Sequence, residues 1–347
     1  QEKVLVDTDN KEITITTDNI IIATGSQVAM PPISGLDTEQ VINSTQALQL
    51  KELPDKLVII GGGVIGMEFA FIYNNLGVDV TVVEYFDDIL ARFDADICEE
   101  IAKIARKKGI KLYTGAKVEE VISTEDERAI IKYISGEEQN YLTADLVLTA
   151  TGRKPYYSGL GIEELDFEFN QQGELEVDKQ QRTNIDNIYA IGDVTGGTYL
   201  AHAASHQGIV AVKNILGYDS EMDATIPSTV FTDPEIAIAG LDEKRAREEG
   251  YNIQVGKFPF AANGKALTLG SSEGFIKLIK DRDSDKIIGG AIIGAHATDL
   301  IAEVTLAIEN ELTAEEIIET IHAHPTTAEV VHEAALATEG GALHFAE

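Results

Sequence analysis

The segment from Leu57 to Glu84 constrains the fold more than any other part of the chain. Leu57-Val58-Ile59-Ile60 is an apolar run of buried-strand length, and Gly61, Gly63 and Gly66 follow it as G-x-G-x-x-G. Val64 to Leu76 continues as an apolar-rich helical stretch, Gly77 ends it, and Val78 to Val83 reads as a second strand closed by Glu84. A strand, a helix and a second strand in this order make a dinucleotide-binding unit with parallel strands. Gly61 permits the tight turn, Gly63 lets a pyrophosphate approach the backbone, and Gly66 lets helix and strand pack closely. The helix N-terminus offers free N–H groups and the positive dipole end. Glu84 stands twenty-three positions after Gly61, where it can accept hydrogen bonds from both ribose hydroxyls and repel a 2′-phosphate. NAD is therefore expected over NADP. A glycine-rich structural turn is the competing reading, and the flanking strand, helix and acid weigh against it.

Two other strands run into Ala-Thr-Gly. One is NIIIATGS, with Thr24, Gly25 and Ser26, and the other is LVLTATGR, with Gly152. Glycine at that place lets the backbone turn close to a ligand, and two copies suggest two nucleotide-binding units. IYAIGD places Asp193 just beyond a buried strand, with a helix beginning near Leu200. An acid there suits a sugar-like hydroxyl chain, and an N-cap role fits equally well.

The segment IHAHPTTAEVVHEA carries a histidine ahead of a helix start. His324 precedes Pro325, which biases it toward extended backbone. Thr326 reads as the N-cap, with Glu329 three residues on. A histidine held by a carboxylate in this way can act as general acid or base. An ordinary capping box accounts for Thr326 and Glu329 as well.

Composition narrows the partners. The 347 residues, 44% of them hydrophobic, suffice for two or three packed domains. The net charge of −32 is opposite in sign to what nucleic acid requires. Cys98 is the single cysteine, so an internal disulfide or thiolate metal cluster is excluded within these residues, and a reducing, cytoplasmic setting is expected. Its acidic helical surroundings should raise its pKa. Apolar runs fall short of a membrane span, since Leu57 to Phe71 is broken by four glycines. The chain starts at Gln1 with segments that read as strands already in progress, KVLVDTD and EITITTDNIIIATGS; the first members of that sheet are expected to lie outside the sequence.

The ordered set ATGS, GGGVIGME with Glu84, ATGRKP, TNIDNIYAIGD, LAHAASHQG and HAHPTTAE resembles the pyridine nucleotide–disulfide oxidoreductases across essentially the whole chain. The resemblance implies α/β architecture: Rossmann-like FAD- and NAD-binding domains, the FAD domain incomplete, and a C-terminal α+β dimerisation domain. Residues 1–50 would be part of the FAD domain, 51–153 the NAD domain, 154–224 the return to FAD, and 225–347 the interface domain of a homodimer. Gly61, Gly62, Gly63, Val64, Ile65, Gly66, Glu68, Glu84, Val118 and Gly152 are carried over as cofactor-site positions. So are Thr24, Gly25 and Ser26, then Asp193, which alone of these would hold the ribityl chain, and Tyr199, Leu200, Ala201 and His202, which would pass the flavin. His324 would exchange a proton with a redox-active thiol of the partner subunit, oriented by Glu329. The side chains of His202, His206, His296 and His322 are read as structural.

The implied activity is flavin-dependent oxidation of protein-bound dihydrolipoyl groups by NAD⁺. The implied partner is the lipoyl-bearing component of a 2-oxo-acid dehydrogenase or glycine-cleavage complex. Two family features are missing from the 347 residues: a first G-x-G-x-x-G for FAD, and the C-x4-C pair. These residues by themselves are therefore expected to lack thiol–disulfide turnover. Acting alone, they could instead form a non-catalytic NAD-binding, dimerising module. Tyr156 stands where relatives usually carry Asn.

Overall fold

The computed structural model describes residues 2–8 and 11–345 and divides into two compact units. One comprises the residues up to Ala29 together with Arg153–Ala224. The other comprises Met30–Gly152 together with the residues from Thr225 onward.

The larger unit is built on a five-stranded, all-parallel sheet. Its order is Val41–Asn43, Leu146–Thr149, Lys56–Ile60, Asp79–Val83 and Lys111–Tyr113. The two strands of the glycine-rich unit bury every residue but their first, as strands covered on both faces must. Helix Val64–Asn75 returns the chain between them. Helix Ala95–Lys107 buries Ile97, Ile101, Ile104 and Ala105, an apolar face at helical spacing. Val41–Asn43 pairs with Leu146–Thr149, so the parallel sheet takes a strand from ahead of Leu50. A three-residue strand is too short to carry a period.

Thr225 onward adds a five-stranded antiparallel sheet, ordered Ser228–Val230, Glu235–Gly240, Ile287–Gly294, Phe275–Asp281 and Ile253–Pro259. Helices Ala297–Glu309 and Glu329–Thr338 pack on it. Val230, Ile236, Phe275 and Ile293 of this sheet share one core cluster with Leu57, Ile59 and Val82 of the parallel sheet.

Phe275–Asp281 is buried at all seven positions, and two of them are lysines. Lys277, 1% exposed, directs Nζ to Asp94 at 2.6 Å, Asp96 at 2.8 Å and Glu243 at 3.2 Å. Three carboxylates match the three donors of one ammonium. Burial raises the Asp94 carboxyl above its ordinary value against the pull of Lys277.

In the smaller unit, Glu2–Thr8 and Lys11–Thr17 form an antiparallel hairpin. Ile20–Ile22 pairs parallel with Ile188–Ala190, and Ser26–Val28 pairs antiparallel with Arg153–Pro155. Ile22, Ile162, Leu175, Ile188, Ala190 and Val194 form its core. The two Ala-Thr-Gly turns thus end strands of two separate sheets.

Replacing Lys277 by methionine keeps the apolar stem and strands three carboxylates. The larger unit should lose roughly 3–5 kcal/mol, the cost of breaking a buried pair from one side. Urea unfolding followed by far-UV circular dichroism reads this directly, and an unchanged midpoint would make the network neutral.

Candidate active site

Each motif glycine is fixed by a separate contact. Gly61 has φ +109°, and a Cβ there would lie 2.6 Å from the Ala150 carbonyl oxygen. At Gly66 a Cβ would run into the Gly61 carbonyl oxygen, so only glycine lets the helix settle on the strand. Gly63 differs, with nothing of the protein within 4 Å of a Cβ. It is the N-cap of Val64–Asn75 in extended conformation, and no side chain caps that end. The uncovered N–H groups and the dipole's positive end thus face open space.

Glu84 is 7% exposed at the end of its strand. Its Oε2 accepts a hydrogen bond from the Gly62 N–H and its Oε1 one from the Phe86 N–H at 2.8 Å. Two backbone donors orient the carboxylate, and it keeps lone pairs for further donors such as ribose hydroxyls. Val118 is buried at 6%, packed with Val83 and Ile60 beneath the same region. Val64 and Ile65 open the helix. Glu68 Oε1 accepts the Phe231 N–H at 2.9 Å, and burial raises its pKa.

Both Ala-Thr-Gly turns place their glycine at positive φ. Gly25 has φ +70° and Gly152 φ +128°, each with open space where a Cβ would stand. Thr24 Oγ1 is buried without a hydrogen-bond partner, as expected of a hydroxyl that waits for a ligand. Asp193 lies inside the short 3₁₀ turn Gly192–Thr195, and its carboxylate does not cap it. Instead Ser26 Oγ donates to Asp193 Oδ2, and Arg153 Nε donates to Ser26 Oγ at 2.6 Å. Arg153 Nη2 also donates to the Ser26 carbonyl at 2.8 Å. Arg153 is the member that sequence reading left out. Its one signal was its place directly after the second Ala-Thr-Gly. Tyr199 has φ +54° and precedes Leu200, the N-cap of Ala201–Ile215, again without a side-chain cap.

His324 is exposed and lies with Nδ1 2.9 Å from Glu329 Oε1, while Glu329 Oε2 accepts the Thr326 N–H at 2.9 Å. Burial alone would raise the Glu329 carboxyl; the Thr326 N–H and the His324 ring outweigh it and hold the carboxyl below its usual value. An ionised Glu329 keeps the proton on Nδ1 and leaves Nε2 outward as an acceptor. The expected capping box forms only by half. The helix starts at Glu329 itself, with Ala328 as N-cap; Glu329 Oε2 meets the Thr326 N–H, but the Thr326 hydroxyl caps no helix N–H and donates to the Ala323 carbonyl at 2.6 Å. His322 fits its structural reading, with Nε2 2.7 Å from Glu303 Oε1. Cys98 donates to the Leu90 carbonyl at 3.3 Å, and its thiol is pushed up to about 11 by burial and then by Asp88. Such a thiol is inert as a nucleophile at neutral pH.

A dinucleotide turn, a second set of nucleotide-type turns and a carboxylate-held histidine define an α/β oxidoreductase. Residues 1–208 match the pyridine nucleotide-disulphide oxidoreductases, and residues 226–335 match the dimerisation domain of that family. The chain belongs to the pyridine nucleotide–disulphide oxidoreductase family, whose cofactors are FAD and NAD. A dihydrolipoyl dehydrogenase of Bacillus subtilis (strain 168) is 44% identical over 330 residues, covering 94% of this chain and 69% of the relative. A dihydrolipoamide dehydrogenase of Chaetomium thermophilum is 42% identical, covering 97% of this chain and 68% of the relative. Among solved structures, the HOCl-induced flavoprotein disulfide reductase RclA from Escherichia coli superposes with TM-score 0.86 at 32% identity, covering 95% of this chain and 75% of that one. LpdA from Mycobacterium tuberculosis gives 0.88 at 29% identity, covering 96% and 75%. No helix among the described residues is long and apolar enough to cross a membrane.

The two glycines nearest the helix start should separate binding from folding. Gly63→Ala has room within the protein and should leave the melting temperature unchanged, while its methyl obstructs the helix N-terminus and weakens NADH binding about tenfold, or 1.4 kcal/mol. Gly66→Ala should instead destabilise the fold by roughly 1–3 kcal/mol. Calorimetric titration and thermal melts of both variants check the split.

Proposed function

We propose that this chain supplies the NAD-binding, flavin-binding and proton-transferring parts of an enzyme that oxidises protein-bound dihydrolipoyl groups. The observation that carries this reading is the His324–Glu329 pair, with Nε2 left outward, in the same chain as the Glu84 dinucleotide site. The identity to dihydrolipoyl dehydrogenases supports it. In the overall reaction a dithiol closes an S–S bond and gives up two electrons and two protons. NAD⁺ takes the electron pair with one proton as hydride, and the other proton leaves to solvent. A bound flavin supplies the two-electron relay between the thiol chemistry and the pyridine nucleotide.

The chain's own residues do the rest. Glu84 holds the adenosine ribose, and Gly61 to Gly66 let the pyrophosphate reach the helix end. Thr24, Gly25, Ser26 and Asp193 take the flavin's hydroxyl chain, with Arg153 fixing Ser26, and Tyr199 to His202 line the flavin. His324 accepts the thiol proton at Nε2, and Glu329 stabilises the imidazolium that results. The chain acts as a homodimer through residues 225–347, in which His324 serves the partner subunit's thiol. The exposure of His324, 78% at its side chain, and of Ile321, 96%, agrees with a surface awaiting a second copy. Thiol–disulfide exchange needs two thiols, and the 347 residues hold only the buried Cys98. By themselves they should bind cofactors and show no dithiol turnover. The lipoyl-bearing component of a 2-oxo-acid dehydrogenase or glycine-cleavage complex is the proposed partner.

Two measurements test this reading. The visible absorption spectrum of the purified 347-residue chain should show a flavin band. Its absence would favour an NAD-binding, dimerising module without flavin. In a form supplied with a redox-active cysteine pair, His324→Gln should lower dihydrolipoamide oxidation at least ~100-fold, the usual scale of general acid–base catalysis, while the flavin stays bound. Near-normal turnover would return His324 to a structural role.

A further inference from the structure

The flavin-lining segment of the proposed site is held from outside by a carboxylate that has so far had no part in the chemistry. Residues 169–175 form a tight hairpin in which Phe169 bridges Leu175 and the Asn170 N–H donates to the Glu174 carbonyl at 3.0 Å. The Asn170 side-chain oxygen accepts from the Gln172 and Glu174 N–H groups at 2.9 and 3.1 Å. Leu175, 1% exposed, donates its N–H to the Val194 carbonyl at 3.0 Å, which ties the hairpin to the turn that carries Asp193. Glu174 therefore stands on a fixed base. Its Oε2 accepts from Asn170 Nδ2 at 2.7 Å and its Oε1 from the Tyr199 hydroxyl at 2.9 Å. The carboxylate lies against buried Gly196 where a Cβ would otherwise stand.

The segment on the receiving end is an expensive one. Gly196, Gly197 and Tyr199 have φ of +75°, +83° and +54°, and for tyrosine the left-handed region is disfavoured by its Cβ. Surrounding structure must hold such a residue in place. Leu200 follows as an N-cap without a side-chain hydrogen bond, so no cap fixes the entry to helix Ala201–Ile215. The phenol is pushed up to about 12, by burial first and then by its bond to Glu174, so it remains a protonated donor at neutral pH.

We propose that Glu174 is a positioning residue: through the Tyr199 hydroxyl it locks the turn Gly196–Leu200 and thereby aims the uncapped start of Ala201–Ile215 at the flavin. This rests on the reading that Asp193 and Tyr199 to His202 face a flavin.

The test uses the 347-residue chain with Glu174→Gln and Tyr199→Phe, the second of which keeps the ring and removes only the hydroxyl. Amide hydrogen exchange over residues 196–203 should speed up about tenfold in both. Affinity in an FAD titration should fall about tenfold, while NADH binding stays at the wild-type level. Tyrosine-labelled NMR should show Tyr199 titrating at lower pH in Glu174→Gln than in the wild type. Unchanged exchange, or faster exchange with unchanged FAD affinity, overturns the proposal. A wild-type chain that takes up no FAD, with exchange still slowed by the tether, overturns the flavin reading and the positioning role together and leaves a structural clamp.

Discussion

The contact between Gly66 and the carbonyl of Gly61 is the constraint from which the nucleotide site follows. Any Cβ at position 66 would push the helix off the strand, and the helix start would then no longer stand over the open space beside Gly63. The same turn brings the Gly62 N–H onto Glu84, so the acid is oriented by the backbone motif proposed to bind the phosphates. One backbone geometry thus packs the helix and carries both the anion and the ribose roles proposed for this site. This is why three glycines and one acid can stand for a binding site.

Most structural polar groups are satisfied, with Gln181 Oε1 an exception. Lys277 meets three carboxylates and His322 meets Glu303, as buried polar groups in a finished core should. Thr24 Oγ1 is buried with no partner, and the helix starts at Gly63 and Leu200 have no side-chain cap. These openings fall where the sequence motifs put nucleotide chemistry. A protein that left them open without a ligand would forgo stability for no return.

Parts of the site were legible because their chemistry is local. The strand–glycine–helix unit, Glu84, Asp193 after its strand and His324 ahead of its helix are set by neighbours within a few tens of residues. The direction of the Cys98 shift was legible in part from the acids written beside it, but burial is the larger cause that pushes the thiol up to about 11. Arg153, Glu174 and Lys277 were not legible as partners. Arg153 meets Ser26 across 127 positions and Lys277 meets Asp96 across 181, and a lysine in a strand or a glutamate in a turn carries no mark of its distant partner. The capping box at Thr326 formed only by half: Glu329 Oε2 takes the Thr326 N–H, but the helix begins with Ala328 as its N-cap, two residues past Thr326.

The sequence by itself determined the parallel sheet around the glycine-rich turn, the preference for NAD over NADP in the expected chemistry, and the residues that form the histidine–carboxylate pair. Each follows from side-chain types and backbone freedom at fixed spacing. Only the tertiary structure decided that Val41–Asn43 joins the parallel sheet, that Glu68 accepts the Phe231 N–H, that Arg153 braces Ser26, and that Glu174 meets the Tyr199 hydroxyl. Those outcomes depend on which distant groups come within about 3 Å of one another. A hydrogen bond has direction and short range, so its partner is chosen only after packing has fixed the backbone.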